Sequence, residues 1–197
     1  MIEWHFIPPR SPQFGGLWEA AVKSFKFHLN RVIGKIILSY EALHTLTVEI
    51  EMILNSRPLT PLSSHLNDLQ FLSPGNFLIG DSMTNLPEFD YSKIPVGRLS
   101  SWQHAQQIKQ HFWKRWQKEY LHTLNTRTKW HTSSPMNLKV GQVVLLHDNQ
   151  LPVNQWKLGK ITQLHPDEED HVRVVTVKTS KGEYLSLIHI SEPTRPY

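Results

Sequence analysis

The feature that most constrains how this chain can fold is a change of hydrophobic period near Pro135. Before it, apolar residues recur every three or four positions; after it, they alternate. The first spacing lines one face of a helix and the second lines one face of a strand. Two such blocks in sequence read as an α+β chain, helices first and a small sheet last.

The helical block divides at its glycines and prolines. A helix is expected from Gly16 to about Ile33, with Leu17, Ala21, Phe25, Leu29 and Val32 as its apolar stripe and Gly34 as its stop. Ser39 reads as the N-cap of a second helix that buries Leu43, Leu46, Ile50 and Leu54 and ends by Pro58, its end anchored by Asn55 and Arg57. PLTP, SPG, LPEF and IPVG make residues 58–97 mostly loop. A long basic helix is expected from about Ser100 to Thr126, with Trp102, Ala105, Ile108, Phe112, Trp116 and Tyr120 on its stripe. Ahead of all these, Ile2 to Ile7 has the β-branched and aromatic character of a short strand. VGQVVLLHD, WKLGKITQLHP, HVRVVTVKTS and GEYL supply four or five strands, enough for a small closed or half-closed barrel with Gly141 and Gly159 at turns or bulges.

Composition narrows the function classes. The apolar share is 39% and there are seven Trp, enough for real cores, while charged residues are only 19%, which argues against a disordered tail. No apolar run approaches the ~18 residues that span a bilayer. The chain has no cysteine, so disulfides and thiolate metal sites are excluded. Charge is uneven: residues 1–97 carry 7 Lys and Arg against 9 Asp and Glu, residues 98–197 carry 14 against 8, and residues 98–131 carry 7 against 1. Basicity concentrated in one segment points to a polyanion partner, with a solvated helix face as the plain alternative.

Four motifs, in order, resemble one family. Trp4 to Lys26, WHFIPPRSPQFGGLWEAAVKSFK, is similar to the strand, loop and helix that carry the last carboxylate of the Asp-Asp-Glu set in retroelement integrases. Its wording PPRSPxFGGLWEAAVK resembles the Pao/BEL class of long-terminal-repeat retrotransposons. Leu54 to Gly80 is similar to the end of that integrase core. SSWQHAQQIKQHFWKRWQKEYLHTLNTRTKW and the strand-rich NLKVGQVVLLHDNQLPVNQWKLGKITQLHP resemble the region that follows the core in Pao/BEL polyproteins. The resemblance covers about residues 2–184. It implies the C-terminal part of an RNase H-like core over residues 1–97, a basic helical connector over 98–134 and an SH3-like barrel over 135–184. The parent activity it implies is Mg²⁺-dependent insertion of element DNA into a chromosome, in the nucleus, by a self-associating enzyme with DNA as partner and no membrane role.

In that resemblance Glu19 is the catalytic and metal-binding glutamate, with Gln13, Phe14, Gly15 and Gly16 in the flexible turn before it. Two divalent ions would need several carboxylates around them. On a helix Glu19, Lys23, Lys26 and Asn30 share one face, so the two lysines could set a DNA phosphate beside the metals. By spacing alone Glu19 and Lys23 are an ordinary i,i+4 surface pair; the flanking motif favours the catalytic ancestry. The chain departs from the family here. Both partner aspartates should precede the glutamate, yet none of the 18 residues before Glu19 is Asp, and the His/Cys zinc domain that opens such integrases has no counterpart. Met1 then reads as an internal codon. The expectation is a chain that binds DNA and needs no cofactor for it, but does not perform strand transfer by itself. The alternatives are a non-catalytic DNA or chromatin-binding module derived from an integrase, and an oligomerisation fragment.

Two further groups are DNA-binding candidates. Lys109, Lys114, Arg115 and Lys118 interleave with His111, Trp113 and Trp116, and of the two tryptophans one is expected inside and one outside. In the sheet, Trp156, Lys157, Lys160 and Arg173 are candidates, although the alternation of WKLGKI puts Trp156 in the core by default.

The last segment reads differently. LSLIHISEPTR, residues 185–195, is the codon-by-codon translation of a common transposase-based sequencing-library adapter, so residues 185–197 are expected to be foreign to the fold. The alternative is a genuine last strand from Leu185 to Ile190.

Overall fold

A computed structural model of the chain describes residues 6, 8–63, 70–83, 88–124, 138–148, 151–166, 172–187 and 191–193. The strand expected at Ile2–Ile7 lies outside the described residues, apart from the backbone position of Phe6. The side chains of Gln13, Leu17 and Arg173 are outside the description too.

The helical block forms where its spacing predicts. Helix α1 spans Gly16–Ile33 and stops at Gly34, whose φ of 59° needs no Cβ and whose N–H bonds Asn30 O. Helix α2 spans Tyr40–Asn55, and the Ser39 hydroxyl caps it by accepting from Ala42 N at 3.2 Å. Its far end is held by Arg57, which donates to Leu54 O at 2.8 Å. The buried row of α2 is Leu46, Ile50 and Ile53, not the expected set: Leu43 is exposed and Leu54 half-buried. The 46–50–53 row is the one that packs against Ile108, Phe112, Trp113 and Trp116 of the long helix. Within residues 58–97 the structure adds two short strands, β1 (Thr60–Pro61) and β2 (Phe71–Leu72), and the short helix α3 (Pro74–Ile79). Helix α4 spans Ser101–Leu124. Ser100 and Gln103 open it with reciprocal bonds, Ser100 N to Gln103 Oε1 at 2.9 Å and Gln103 N to Ser100 Oγ at 3.3 Å.

The second block is an antiparallel meander of β3 (Val143–Leu146), β4 (Lys157–Pro166), β5 (Val172–Thr179) and β6 (Gly182–Leu187), with the short β7 (Ser191–Pro193) paired on the far side of β3. The fold class is therefore α+β. The sheet is not the closed barrel that was one of the expected forms. Among the described residues, β6 and β7 lie at opposite edges of the order β6-β5-β4-β3-β7 and do not pair, so it stays open. Register shifts after Ile161 and His165 curl β4 against β5. Gly141, with φ of 90°, turns the chain into β3 as expected. Gly159 does something else: a Cβ there would fall 2.2 Å from Val177 Cγ1, so it is a close approach inside a strand and not a turn. Strand pairing also runs past Tyr184, because Leu185–Leu187 pair with Val174–Thr176 and Ser191–Pro193 pair with Val144–Leu146.

The two blocks share a core. Leu29, Leu46, Ile50, Ile53, Ile108, Phe112, Trp113 and Trp116 cluster between α1, α2 and α4, and Val153 joins them from the sheet side. Trp156 closes this cluster, with its ring 4.9 Å from Trp113 and 5.6 Å from Tyr120, centroid to centroid. Its indole N–H donates to Ser56 Oγ at 3.3 Å, and the Tyr120 hydroxyl donates to Pro58 O. Residues about a hundred positions apart are thus joined at one apolar seam.

Candidate nucleic-acid interface

Helix α4 is buried over most of its middle, which moves several candidate residues off the surface. Trp113 and Trp116 are 2% and 4% exposed, so both are inside and the expected split does not occur. Both belong to the cluster formed with α1 and α2, and the ring of Trp156 packs against each of them. Lys109 is 1% exposed. Its ammonium bonds Glu49 at 3.2 Å and Glu88 at 2.8 Å, so its charge is satisfied inside the protein and faces no ligand. The segment 88–94 lies along this part of the helix. Gln107 donates to Tyr91 O and Ile94 O at 2.8 and 2.7 Å, Gln110 donates to Phe89 O at 2.7 Å, and Gln110 Oε1 accepts from Tyr91 N at 2.8 Å.

The sheet candidates are drawn inward as well. Trp156 belongs to the core seam, as its alternation predicted. Lys160 is 5% exposed on β4, a central strand flanked by β3 and β5. Lys157 is half-buried, 3.3 Å from Asp148 and over the ring of Tyr184. These residues do not form an open basic face.

The basic surface that remains lies along α1 and α4. His111, Arg115, Lys118 and His122 follow one another at helical spacing on α4, with Lys114 beside them. Opposite them stand Phe27, His28, Arg31 and Val32 of α1. The two sets line adjoining recesses: one of about 420 Å³ bounded by Phe27, His28, Arg31, Arg115, Lys118, Glu119 and His122, and one of about 340 Å³ bounded by Arg31, Val32, His111, Lys114 and Arg115. Arg31 was not singled out by sequence because its partners come from α4. Its guanidinium lies 3.3 Å over the Phe27 ring, which fixes the fork toward the groove. Lys114 is tethered to Ser92 Oγ at 2.8 Å and stands 3.8 Å from Asp90. Glu19, Lys23, Lys26 and Asn30 are all exposed on α1, sharing a face as their spacing predicts, and Lys23 lies on the same four-residue row as Phe27 and Arg31.

His28 is the unusual group in this groove. It is 3% exposed, edge-on to Phe27 and Phe112, and its Nε2 stands 3.1 Å from a Glu119 oxygen. Burial holds its pKa below the usual 6.5. The nearby Glu119 carboxylate opposes that shift, while Arg115 and Arg31 add to it. A depressed histidine pKa means that the unfolded chain takes up the proton first as pH falls, so stability is full above the ordinary value and declines below it. Denaturant unfolding at pH 7.5 and pH 5.5 is expected to show a loss of stability in acid that shrinks in His28→Gln. An equal loss in both proteins would assign it to other histidines.

Glu19 is the single acid in the first turn of α1 and is exposed. Among the described residues, no group of three or more His, Cys, Asp or Glu is placed to hold a metal ion. One exposed carboxylate does not meet the near-octahedral oxygen demand of Mg²⁺, so no catalytic step is assigned to it. Among the described residues no helix is long and apolar enough to cross a membrane.

The geometry can be set beside known proteins. Residues 100–190 match a family of unknown function (DUF5641). The DUF5641 match takes in α4 and the meander, whereas α1 and α2, which complete the core around α4 and supply Arg31 to the groove, lie before it. No curated protein and no solved structure matches the chain.

Proposed function

We propose that this chain is the DNA-binding C-terminal region of a retrotransposon integrase of the Pao/BEL type, and that these 197 residues by themselves bind duplex DNA without cutting or joining it. The observation that carries the reading is the groove between α1 and α4, where Arg31, Lys114, Arg115 and Lys118 converge from two helices. Convergent cations on a rigid helix pair neutralise phosphates and release counterions, and give affinity with little sequence selectivity. The four ordered motifs support the family, and the antiparallel meander β3-β4-β5-β6 is consistent with an SH3-like sheet in its open form. On this reading residues 1–97 are the end of an RNase H-like core, Glu19 descends from the catalytic glutamate, Mg²⁺ belongs to the parent enzyme, and the working compartment is the nucleus.

The test is fluorescence anisotropy with a labelled duplex. Arg115→Ala/Lys118→Ala is expected to weaken binding by roughly tenfold per lost charge-assisted contact at low salt. Lys139→Ala/Lys181→Ala, on exposed residues of the sheet side, should leave it nearly unchanged. Equal losses in the two variants would reduce the groove to general charge.

An assembly role is favoured by one observation. Phe77, Leu78 and Ile79 of α3 are 62–73% exposed, and Ile37 is 97% exposed. Apolar surface of this kind marks contact sites. Light scattering over a concentration series, with Phe77→Ser/Ile79→Ser as control, tests it.

Residues 185–197 we read as foreign, derived from a sequencing adapter. The support for this is the wording LSLIHISEPTR alone; the pairing of Leu185–Leu187 with β5 and the family match to residue 190 favour the alternative of a genuine last strand.

A further inference from the structure

We propose that the recess between α1 and α4 is a seat for a single phosphate group, walled by Arg31, Arg115 and Lys118, floored by His28, and occupied in competition by the carboxylate of Glu119. This deepens the nucleic-acid reading and rests on it for the source of the phosphate.

Three observations converge on the recess. The cationic groups come from both helices and border an open recess of about 420 Å³, ample for a phosphate and its nearest waters. His28 is nine-tenths buried and lines that space, yet among the described residues its Nδ1 has no hydrogen-bond partner and its Nε2 meets only an off-angle carboxylate. A buried imidazole left in this way is costly unless something completes it. A phosphate oxygen can accept from the imidazole, and the ligand's charge would favour the protonated ring. Finally, Glu119 stands at the mouth, half exposed, where its side chain can move to solvent without disturbing the core. A carboxylate among three cations mimics the ligand and weakens its entry until it is displaced.

The charged and titratable groups facing His28 are Glu119, Arg115, Lys118 and His122 from α4 and Arg31 from α1. Binding of a phosphodiester, whose charge is constant over this range, should therefore be accompanied by proton uptake, and should be tighter at pH 6 than at pH 8.

The experiment uses the full chain. Inorganic phosphate is titrated while the His28 ring resonances are followed by NMR, and a short labelled duplex is titrated into wild type and Glu119→Gln. The expected result is a saturable shift of His28 with phosphate and duplex binding at least about threefold tighter in Glu119→Gln, since a like charge near the ligand is removed. His28→Asn, checked for folding by its thermal melt, should reduce the pH dependence of duplex binding, whose phosphodiesters keep one charge across this range. If phosphate leaves His28 unmoved and Glu119→Gln binds duplex no more tightly than wild type, the seat is overturned, while salt-sensitive duplex binding would leave the nucleic-acid reading in place. If phosphate shifts His28 but no duplex binds, the seat stands for free phosphate and the nucleic-acid reading fails.

Discussion

Replacing Trp113 with Ala should destabilise the whole protein by about 3–5 kcal/mol, the usual cost of emptying a buried aromatic site. The ring is 2% exposed and stands 4.9 Å from Trp156 and 6.2 Å from Trp116, centroid to centroid. It is the point where the helices and the sheet share one core, so its loss loosens both. With about 2–4 °C of melting temperature per kcal/mol for a chain of this size, the melt should fall by roughly 6–20 °C. Trp102→Ala, at a site 61% exposed on the same helix, should change stability by no more than about 0.5 kcal/mol. Two thermal melts decide the matter. A small effect at Trp113, or separate transitions for helices and sheet in wild type, would contradict the shared core.

Lys109→Met is the second large effect. The substitution keeps the stem and removes the charge. It strands Glu49, which also accepts from Gln106 at 2.9 Å, and Glu88 against each other. Breaking a buried ion pair from one side costs about 3–5 kcal/mol; here the partial exposure of both carboxylates lets water recover some of that, so about 2–4 kcal/mol is expected. Adding Glu49→Gln and Glu88→Gln should restore most of the loss, because no charge then remains unpaired. Denaturant midpoints of the single and triple variants give the answer. A neutral Lys109→Met would mean that the pair contributes no net stability.

These two residues also mark where sequence reading stops. Periodicity locates α1, α2 and α4, because each has an apolar row with a glycine, a capping serine or a proline to bound it. The Ser39 cap and the Gly34 stop could be read because the chemistry is local. The burial of Lys109 could not. It depends on Glu49 and Glu88, carried by α2 and by an irregular segment whose course no short-range pattern predicts. Gln107 and Gln110 are buried for the same reason: their amides satisfy backbone groups of residues 89–94, and a glutamine that does this looks like a surface glutamine in sequence. Trp113 sits beside the predicted stripe and is covered by residues distant in sequence, among them Trp156. The groove was half legible. Arg115 and Lys118 stood out as a basic run on one helix, whereas Arg31 and His28 join them only through packing of α1 on α4.

The central claim is that the α1–α4 groove binds nucleic-acid phosphates, and the salt dependence of duplex binding tests it most directly. Binding constants for a labelled duplex would be measured with the full chain over a series of salt concentrations. Each neutralised phosphate contributes about −0.9 to the slope of log K against log salt. Arg31, Lys114, Arg115 and Lys118, with Lys23 at the margin, predict a slope of roughly −3 to −5, and Arg115→Ala/Lys118→Ala should reduce its magnitude by about 2. A slope near zero, or one that the double variant leaves unchanged, would contradict the account.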